Sequence, residues 1–489
     1  MVRNFVKTVI FSLLPIATFA QNFAFTPNLQ NAYAELTKFK LQNAKELLAK
    51  EPSNNGIKIW QEDFADMITL FTTENEKEYE RLESKEDERL DAVEKIEPNS
   101  PYNRWIRAEI KFHWALIRMK LGHDTKAGFN AIAAYKLLEE NNKLFPNFTP
   151  NLKTLGVLHI FVGSVPENYR WITKFLGLKG NIRQGIRELD MASQDKIFGN
   201  ETKFYKFFLQ ANVLGFTDKN RTELADFVNK NPDNLAISFL GTSLNLRDNN
   251  ARNAFKIMQN RPTDDVFNLP IFDLYKGDIL LQKGAYPQAI ISYNAYLRNF
   301  HGSSYLKDIQ YKLFLCHYLN KDVDRAKAML YLIPNVGKKT SESDKFAQRF
   351  FENFQKTKNL PNRTLLKAKL AFEGGHNEES LALLESLNED SFETISEKAE
   401  FHYSKGRVLQ KINNFNQAIS SYERSVSLSE DQNWYYAPFS CLQLGLIYEA
   451  KNDKSRAKNC FEKAILYKKH EFKNSIDNKA QAALASLGV

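Results

Sequence analysis

The side chains able to do chemistry are present in this chain but do not converge in sequence. Eight histidines run from His113 to His470. A hydrolytic zinc site needs two of them one helical turn apart with a glutamate between, and no HExxH pair occurs. None stands with cysteines at metal-ligand spacing, and a phosphate cradle of the form GxxxxGK[ST] is absent. Gly241-Thr242-Ser243 lacks the second glycine of a nucleophile elbow. Gly177-Leu178-Lys179-Gly180 has no strand ahead of it and cannot open a dinucleotide site. Adjacent carboxylates such as Glu139-Glu140 and Glu378-Glu379 sit in helical stretches, where a hydrated surface is their ordinary place. The expectation is a protein that is not an enzyme and carries no cofactor or metal. What remains is binding.

The elements that would position a binding surface follow from one spacing. Gly406, Ala418, Tyr422 and Ser425 recur as Gly445, Ala457, Phe461 and Ala464, at intervals of 12, 4 and 3. Gly277, Ala289, Tyr293 and Tyr296 repeat them. Phe415, Ala418, Ile419, Tyr422 and Val426 form one stripe of a helix. Turns such as Lys411-Ile412-Asn413-Asn414 and Lys451-Asn452-Asp453 separate amphipathic segments of about a dozen residues, the pattern of a helix hairpin. Helix axes ~8–10 Å apart need small side chains where they cross and large ones beside the crossing. The pattern predicts an all-α chain of antiparallel hairpins stacked as a solenoid.

The glycine, alanine, aromatic and small residues at these intervals resemble the tetratricopeptide-repeat family. That resemblance implies a scaffold that holds other proteins in a concave groove lined by first helices. Phe314, Ala326, Leu330 and Ile333, then Ala368, Ser380, Leu384 and Leu387, keep the intervals with substitutions. The steps between units are 37, 54, 38 and 39 residues, against a family period of about 34. The longest step must hold an insertion around Lys338–Asn362, read as a single helix over Ser343–Gln355. The family's closing proline is replaced by Glu430 and Lys469. The polar tail from Lys468 reads as a terminal capping helix.

The chain divides into a leader (1–20), an irregular helical region (21–235) and a repeat region (236–489). In the irregular region, two short helices are expected over Asn31–Lys50, and long ones over Ile57–Phe71, Asn103–Leu121 and Lys126–Leu144. The highly charged Glu74–Glu97 reads as an exposed, solvated helix or a mobile connection. Phe145–Leu189 departs from the pattern: an almost wholly apolar helix carries Gly156 and Gly163, and Gly177 and Gly180 follow. Such a helix is buried or meets something apolar. This stretch resembles the glycine-rich segment of the tetratricopeptide-repeat 39 (mitochondrial outer-membrane Iml) family, which implies helical-repeat architecture. Tyr169, Arg170 and Trp171 are candidates for the rim of an apolar-ligand site.

Arg3 and Lys7 precede an apolar run ending at Thr18-Phe19-Ala20, as in a cleaved export signal. The run is too short to span a bilayer, and no later segment offers a candidate span. With the frequent Lys, Asn and Phe, the leader resembles those of Bacteroidota envelope proteins. The expected location is the periplasm, with outer-membrane association or secretion as the alternatives. The net charge of +9 is spread along the chain with no basic stripe, which argues against nucleic acid as a partner. Cys316, Cys441 and Cys460 are odd in number and read as buried free thiols.

The groove residues expected from the first helices are Tyr403, Arg407, Gln410, Lys411, Asp278, Tyr311, Tyr318 and Glu449. Tyrosine and arginine join apolar area to directional hydrogen bonds. The function expected is an exported, non-catalytic adaptor that binds another envelope protein or a peptide. A periplasmic or outer-membrane-associated binding protein for a glycan, peptide or lipid is the alternative, and a helical enzyme the third reading.

Overall fold

The computed structural model describes residues 22–165, 176–430, 432–470 and 472–487. The leader and Tyr169, Arg170 and Trp171 lie outside them. Among the described residues all regular structure is helical, and successive helices pair as antiparallel hairpins. Their ends follow local chemistry. Ser100 caps Pro101–Leu121 through the Tyr102 N–H, with proline at the first helical position. Asn362 accepts from the Thr364 and Leu365 N–H groups at the start of Arg363–Glu373.

The repeat intervals have a direct steric cause. In the hairpin of Ile395–Lys411 and Phe415–Ser429, the Tyr422 ring lies on Gly406; a Cβ at Gly406 would stand 2.7 Å from it. In Tyr436–Ala450 and Lys454–Leu466, Phe461 covers Gly445, where a Cβ would stand 2.4 Å from the ring. Tyr293 of Tyr286–Asn299 covers Gly277 of Ile271–Gln282 in the same way. All three rings are fully buried. The buried hydroxyls are satisfied across the hairpin: Tyr293 donates to Asp278 at 2.8 Å and Tyr422 to Gln410 at 2.6 Å. Where the second helix carries leucine, the first affords a larger residue. Leu330 of Val323–Leu332 pairs with Phe314 of Leu306–Leu319, and Leu384 of Asn377–Glu385 with Ala368; all four are fully buried. The small positions also carry hydrogen bonds: Ser380 Oγ donates to Ala368 O at 2.7 Å and Ser425 Oγ to Ala399 O at 3.0 Å.

The long step contains the helix Glu342–Thr357. It is tied in through Asp344, fully buried, which accepts from the Tyr305 and Asp308 N–H groups at 2.8 and 3.1 Å. The helix Lys473–Leu487 covers the last hairpin with Ile476 and Ala480. Upstream, the short pair Pro27–Thr37 and Leu41–Leu48 precedes Gly56–Thr73. The charged stretch differs from a solvated face. It forms the helix Glu76–Glu94, and Tyr79, Leu82, Glu86 and Val93 fall on one buried stripe. The Glu86 carboxylate is held by Lys111 at 2.8 Å and Arg118 at 2.7 Å. Asn151–Gly163 is sheathed by Ile182–Ala192, whose Gly185 meets it backbone to backbone; a Cβ there would stand 2.5 Å from Gly156 O. The apolar helix is thus covered by protein along most of its length.

The hairpins wind tightly enough for distant turns to meet. Gly375, at φ 79°, abuts Asn249 O, so the Arg363–Glu373 helix closes on the turn after Leu235–Arg247. A second closure joins the N-terminal hairpins to the middle of the chain. Glu74, capping its helix at φ 51°, accepts from the Ser303 and Ser304 N–H groups at 3.0 and 2.8 Å and from Lys120 at 2.8 Å. Burial pushes the Glu74 carboxyl up, but Lys120 and Ser304 outweigh it and leave it below the usual carboxylate range.

Two expectations follow. Gly445→Ala overpacks the Phe461 site and should destabilise the fold by about 1–3 kcal/mol. Gly445→Ala with Phe461→Leu recreates the Ala368–Leu384 pairing and should recover part of that loss, as non-additivity in chemical denaturation. Glu74, depressed when folded, contributes stability that is present above its unfolded value near 4.5 and is lost as pH falls through the folded one. Glu74→Gln should therefore flatten the melting temperature between pH 5 and about pH 3; an unchanged slope would remove Glu74 from that role.

Candidate binding groove

Three first helices, Ile271–Gln282, Leu306–Leu319 and Arg363–Glu373, meet at one cavity, and the residues they turn to it share one register. Take Gly277, Phe314, Ala368 and Gly406 as each helix's crossing residue. Positions two before, one after and five after it form a stripe, because 3 and 4 residues each complete about one turn. That stripe supplies Lys312 and Leu366, then Asp278, Leu315, Lys369 and Arg407, then Gln282, Glu373 and Lys411.

Most of these side chains surround a cavity of about 280 Å³. Its polar walls are Asp278, Gln282, Lys312, Lys369 and Glu373, and Tyr311 and Phe346 supply aromatic ones. Lys312 is held 2.7 Å from Asp278 and 2.8 Å from Asp308. Burial alone would lower its ammonium, but the two carboxylates raise it well above the ordinary lysine value. Asp308 is pushed up to about 6 by burial, against the pull of Lys312. Lys369 is ion-paired with Glu400, which raises it in the same way against the effect of burial.

Arg407 is different. Its guanidinium stacks 4.5 Å from the Phe372 ring centroid and 5.6 Å from that of Tyr403. Burial lowers it, yet Tyr403 and Glu373 leave it above its usual value, so it is charged. It makes no hydrogen bond or ion pair with any described residue, although Glu373 is near enough to be felt electrostatically.

The other residues named from the sequence occupy varied positions. Asp278 and Tyr311 line the cavity. Tyr403 is buried in a cluster with Tyr422, Tyr436 and Phe439. Tyr318 is buried under Arg363 and donates to Pro361 O at 2.9 Å. Gln410 accepts from Tyr422, and Glu449 from Ser486 of the terminal helix at 3.1 Å. Lys411 is exposed. Tyr318, Gln410 and Glu449 sit one position short of the groove-facing stripe. A one-residue offset turns a helical side chain by about 100°. Gln282, Lys312, Lys369 and Glu373 were not singled out; the repeat register, applied to the groove face, is the signal that finds them.

A second group of titratable residues converges inside the N-terminal half, unannounced by any local motif. Lys153, 1% exposed, lies 2.7 Å from Glu109 and 2.9 Å from Glu201. Tyr33 donates to Glu201, and Trp60, Phe198 and Tyr205 surround the ammonium. Nearby, Asp63 accepts from Trp114 and pairs with His113 and Arg89. Burial would lower Lys153 and raise Glu201; their pairing reverses both shifts. These charged groups are buried and ion-paired with one another, whereas Arg407 and Glu373 make no ion pair with any described residue. All three cysteines are free thiols. Among the described residues no helix is long and apolar enough to cross a membrane, and no cluster of His, Cys, Asp or Glu is placed to hold a metal ion.

The family model described as Tetratricopeptide repeat matches residues 399–432 and 440–470, the two hairpins in which an aromatic ring covers Gly406 and Gly445. No curated protein matches the chain in sequence. Among solved structures, a monomeric mutant of IFIT1 with m7Gppp-AAAA is 12% identical, covering 81% of this chain and 80% of its own, with a TM-score of 0.33. Yeast Tom70 is 13% identical, covering 94% of this chain and 89% of its own, with a TM-score of 0.24. Two tetratricopeptide repeats at 399–470 and the stacked hairpins before them make this chain a tetratricopeptide-like helical-repeat protein.

Proposed function

We propose that the protein is an exported, non-catalytic adaptor whose groove holds an extended segment of another envelope protein. Tetratricopeptide repeats imply protein partners, and the basic, apolar and small-residue pattern of 1–20 supports export. The observation that carries the site is Arg407. A guanidinium has five donors in a fixed fork. Here Phe372 and Tyr403 hold it in place, and no acceptor among the described residues takes those donors. A group so oriented and unused suits the carbonyls or a carboxylate of an incoming chain. The fixed rings also reduce the ordering cost of binding.

A second reading is a small-ligand or glycan receptor. The cavity of about 280 Å³, with aromatic and charged walls, favours it. Crosslinking in intact cells, followed by purification of the mature chain and mass spectrometry, separates the two. The adaptor reading expects one reproducible envelope protein. Arg407→Ala, folded by circular dichroism, should weaken its capture by ~2 kcal/mol, about thirtyfold in affinity. Undiminished capture would take the partner off the groove. No enriched protein in a correctly exported sample would favour the small-ligand reading. Tyr403→Ala is a poor probe, because Tyr403 is buried.

A further inference from the structure

We infer that the cavity in the groove is a socket for the side chain of a lysine or arginine carried by the bound segment. This rests on the proposed groove and deepens it. The cations of the cavity are already satisfied: Lys312 sits between Asp278 and Asp308, and Lys369 is paired with Glu400. Two acceptors on the cavity wall are unsatisfied. Glu373 lines the cavity and makes no hydrogen bond or ion pair with a described residue. Gln282 lines it too, and its Oε1 is buried without a partner. A buried acceptor left unpaired costs free energy that an incoming donor recovers.

The charge balance has the same sign. Asp278 and Glu373 on the wall, with Asp308 and Glu400 behind the lysines, stand against Lys312, Lys369 and Arg407; four acids face three bases, so the site keeps one net negative charge when all are ionised and accommodates one more cation. Its walls suit an ammonium or guanidinium on a hydrocarbon stem. Tyr311 and Phe346 meet with ring centroids 5.4 Å apart and planes at 77°, and Phe346 is 38% exposed beside the opening. Leu281, Leu315, Leu366 and Leu370 offer apolar surface for the stem. Aromatic faces attract the cation and the open carboxylate fixes its end. Arg407, next along the groove from Glu373, then meets an acceptor of the same segment.

The test uses the mature full-length chain and peptide pools that are acetylated, amidated and random except at one fixed position. That position is lysine, arginine, norleucine or glutamate. Binding is read by fluorescence anisotropy at 0.15 M salt, which screens long-range attraction. The lysine and arginine pools should bind about tenfold more tightly than the norleucine pool. Glu373→Gln, nearly isosteric, should abolish that preference. Glu378→Gln, on the exposed side of the next helix, should leave the preference intact. Arg407→Ala should weaken all pools alike.

Equal binding of all pools would overturn the socket while the groove reading stood. Preference for glutamate would overturn it as well, and so would loss of the lysine preference in Glu378→Gln, which would reveal diffuse attraction. Failure of every pool to bind would overturn the socket and the groove reading together.

Discussion

The structure depends on an aromatic ring lying flat against a glycine of the neighbouring helix. This contact sets the distance between the two helices of a hairpin, because the ring replaces the side chain that glycine lacks. It also sets rotation. Once Gly406 must face Tyr422, the residue after it is turned toward the concave side, and Arg407 is placed there. The same relation places Asp278 after Gly277 and Lys369 after Ala368. The packing of the fold and the lining of its groove are two sides of one helical register. Where ring and glycine are lost together, as at Ala368 and Leu384, the volumes compensate and the register survives.

The curvature of the groove needs contacts that no single hairpin contains. Gly375 lets the chain close against Asn249, bringing the Ile271–Gln282 and Arg363–Glu373 helices within reach of one cavity. Glu74 reaches two amide groups more than two hundred residues away and fastens the N-terminal hairpins to the centre of the superhelix. An open solenoid flexes because each unit touches only its neighbours. These closures give this one a more fixed shape, and a preshaped groove loses less entropy on binding.

Charge is used in two ways. In the N-terminal half Lys153 is paired with Glu109 and Glu201, and Tyr33 donates to Glu201, out of contact with water. Removing one member of such a set leaves an uncompensated buried charge, so it locks a packing arrangement. In the groove the pairing is incomplete: Lys312 and Lys369 have partners, while Arg407 and Glu373 have none among the described residues.

Much of this was legible in the residue order. The intervals of 12, 4 and 3 mark hairpins because helical geometry is local: spacing of small and large residues dictates which faces meet. The insertion helix and the terminal cap follow from the same periodicity. The groove was legible in part. Arg407 and Asp278 are readable from the repeat, but Tyr311, Tyr318, Gln410 and Glu449 are one residue short of the stripe, and only the packed structure shows that Tyr311 still reaches the cavity while the other three turn to neighbours. The charged run at 74–97 reads as solvated because composition is an average, whereas Tyr79, Leu82, Glu86 and Val93 bury one stripe of it. The Lys153 cluster, the Glu74 latch and the cavity were beyond sequence reading, since each joins residues far apart in the chain. The sequence by itself determined the helices, their pairing and the repeat. Tertiary structure decided which charged groups found partners and which were left facing the groove, because desolvation and pairing depend on neighbours that only the coiled chain brings together.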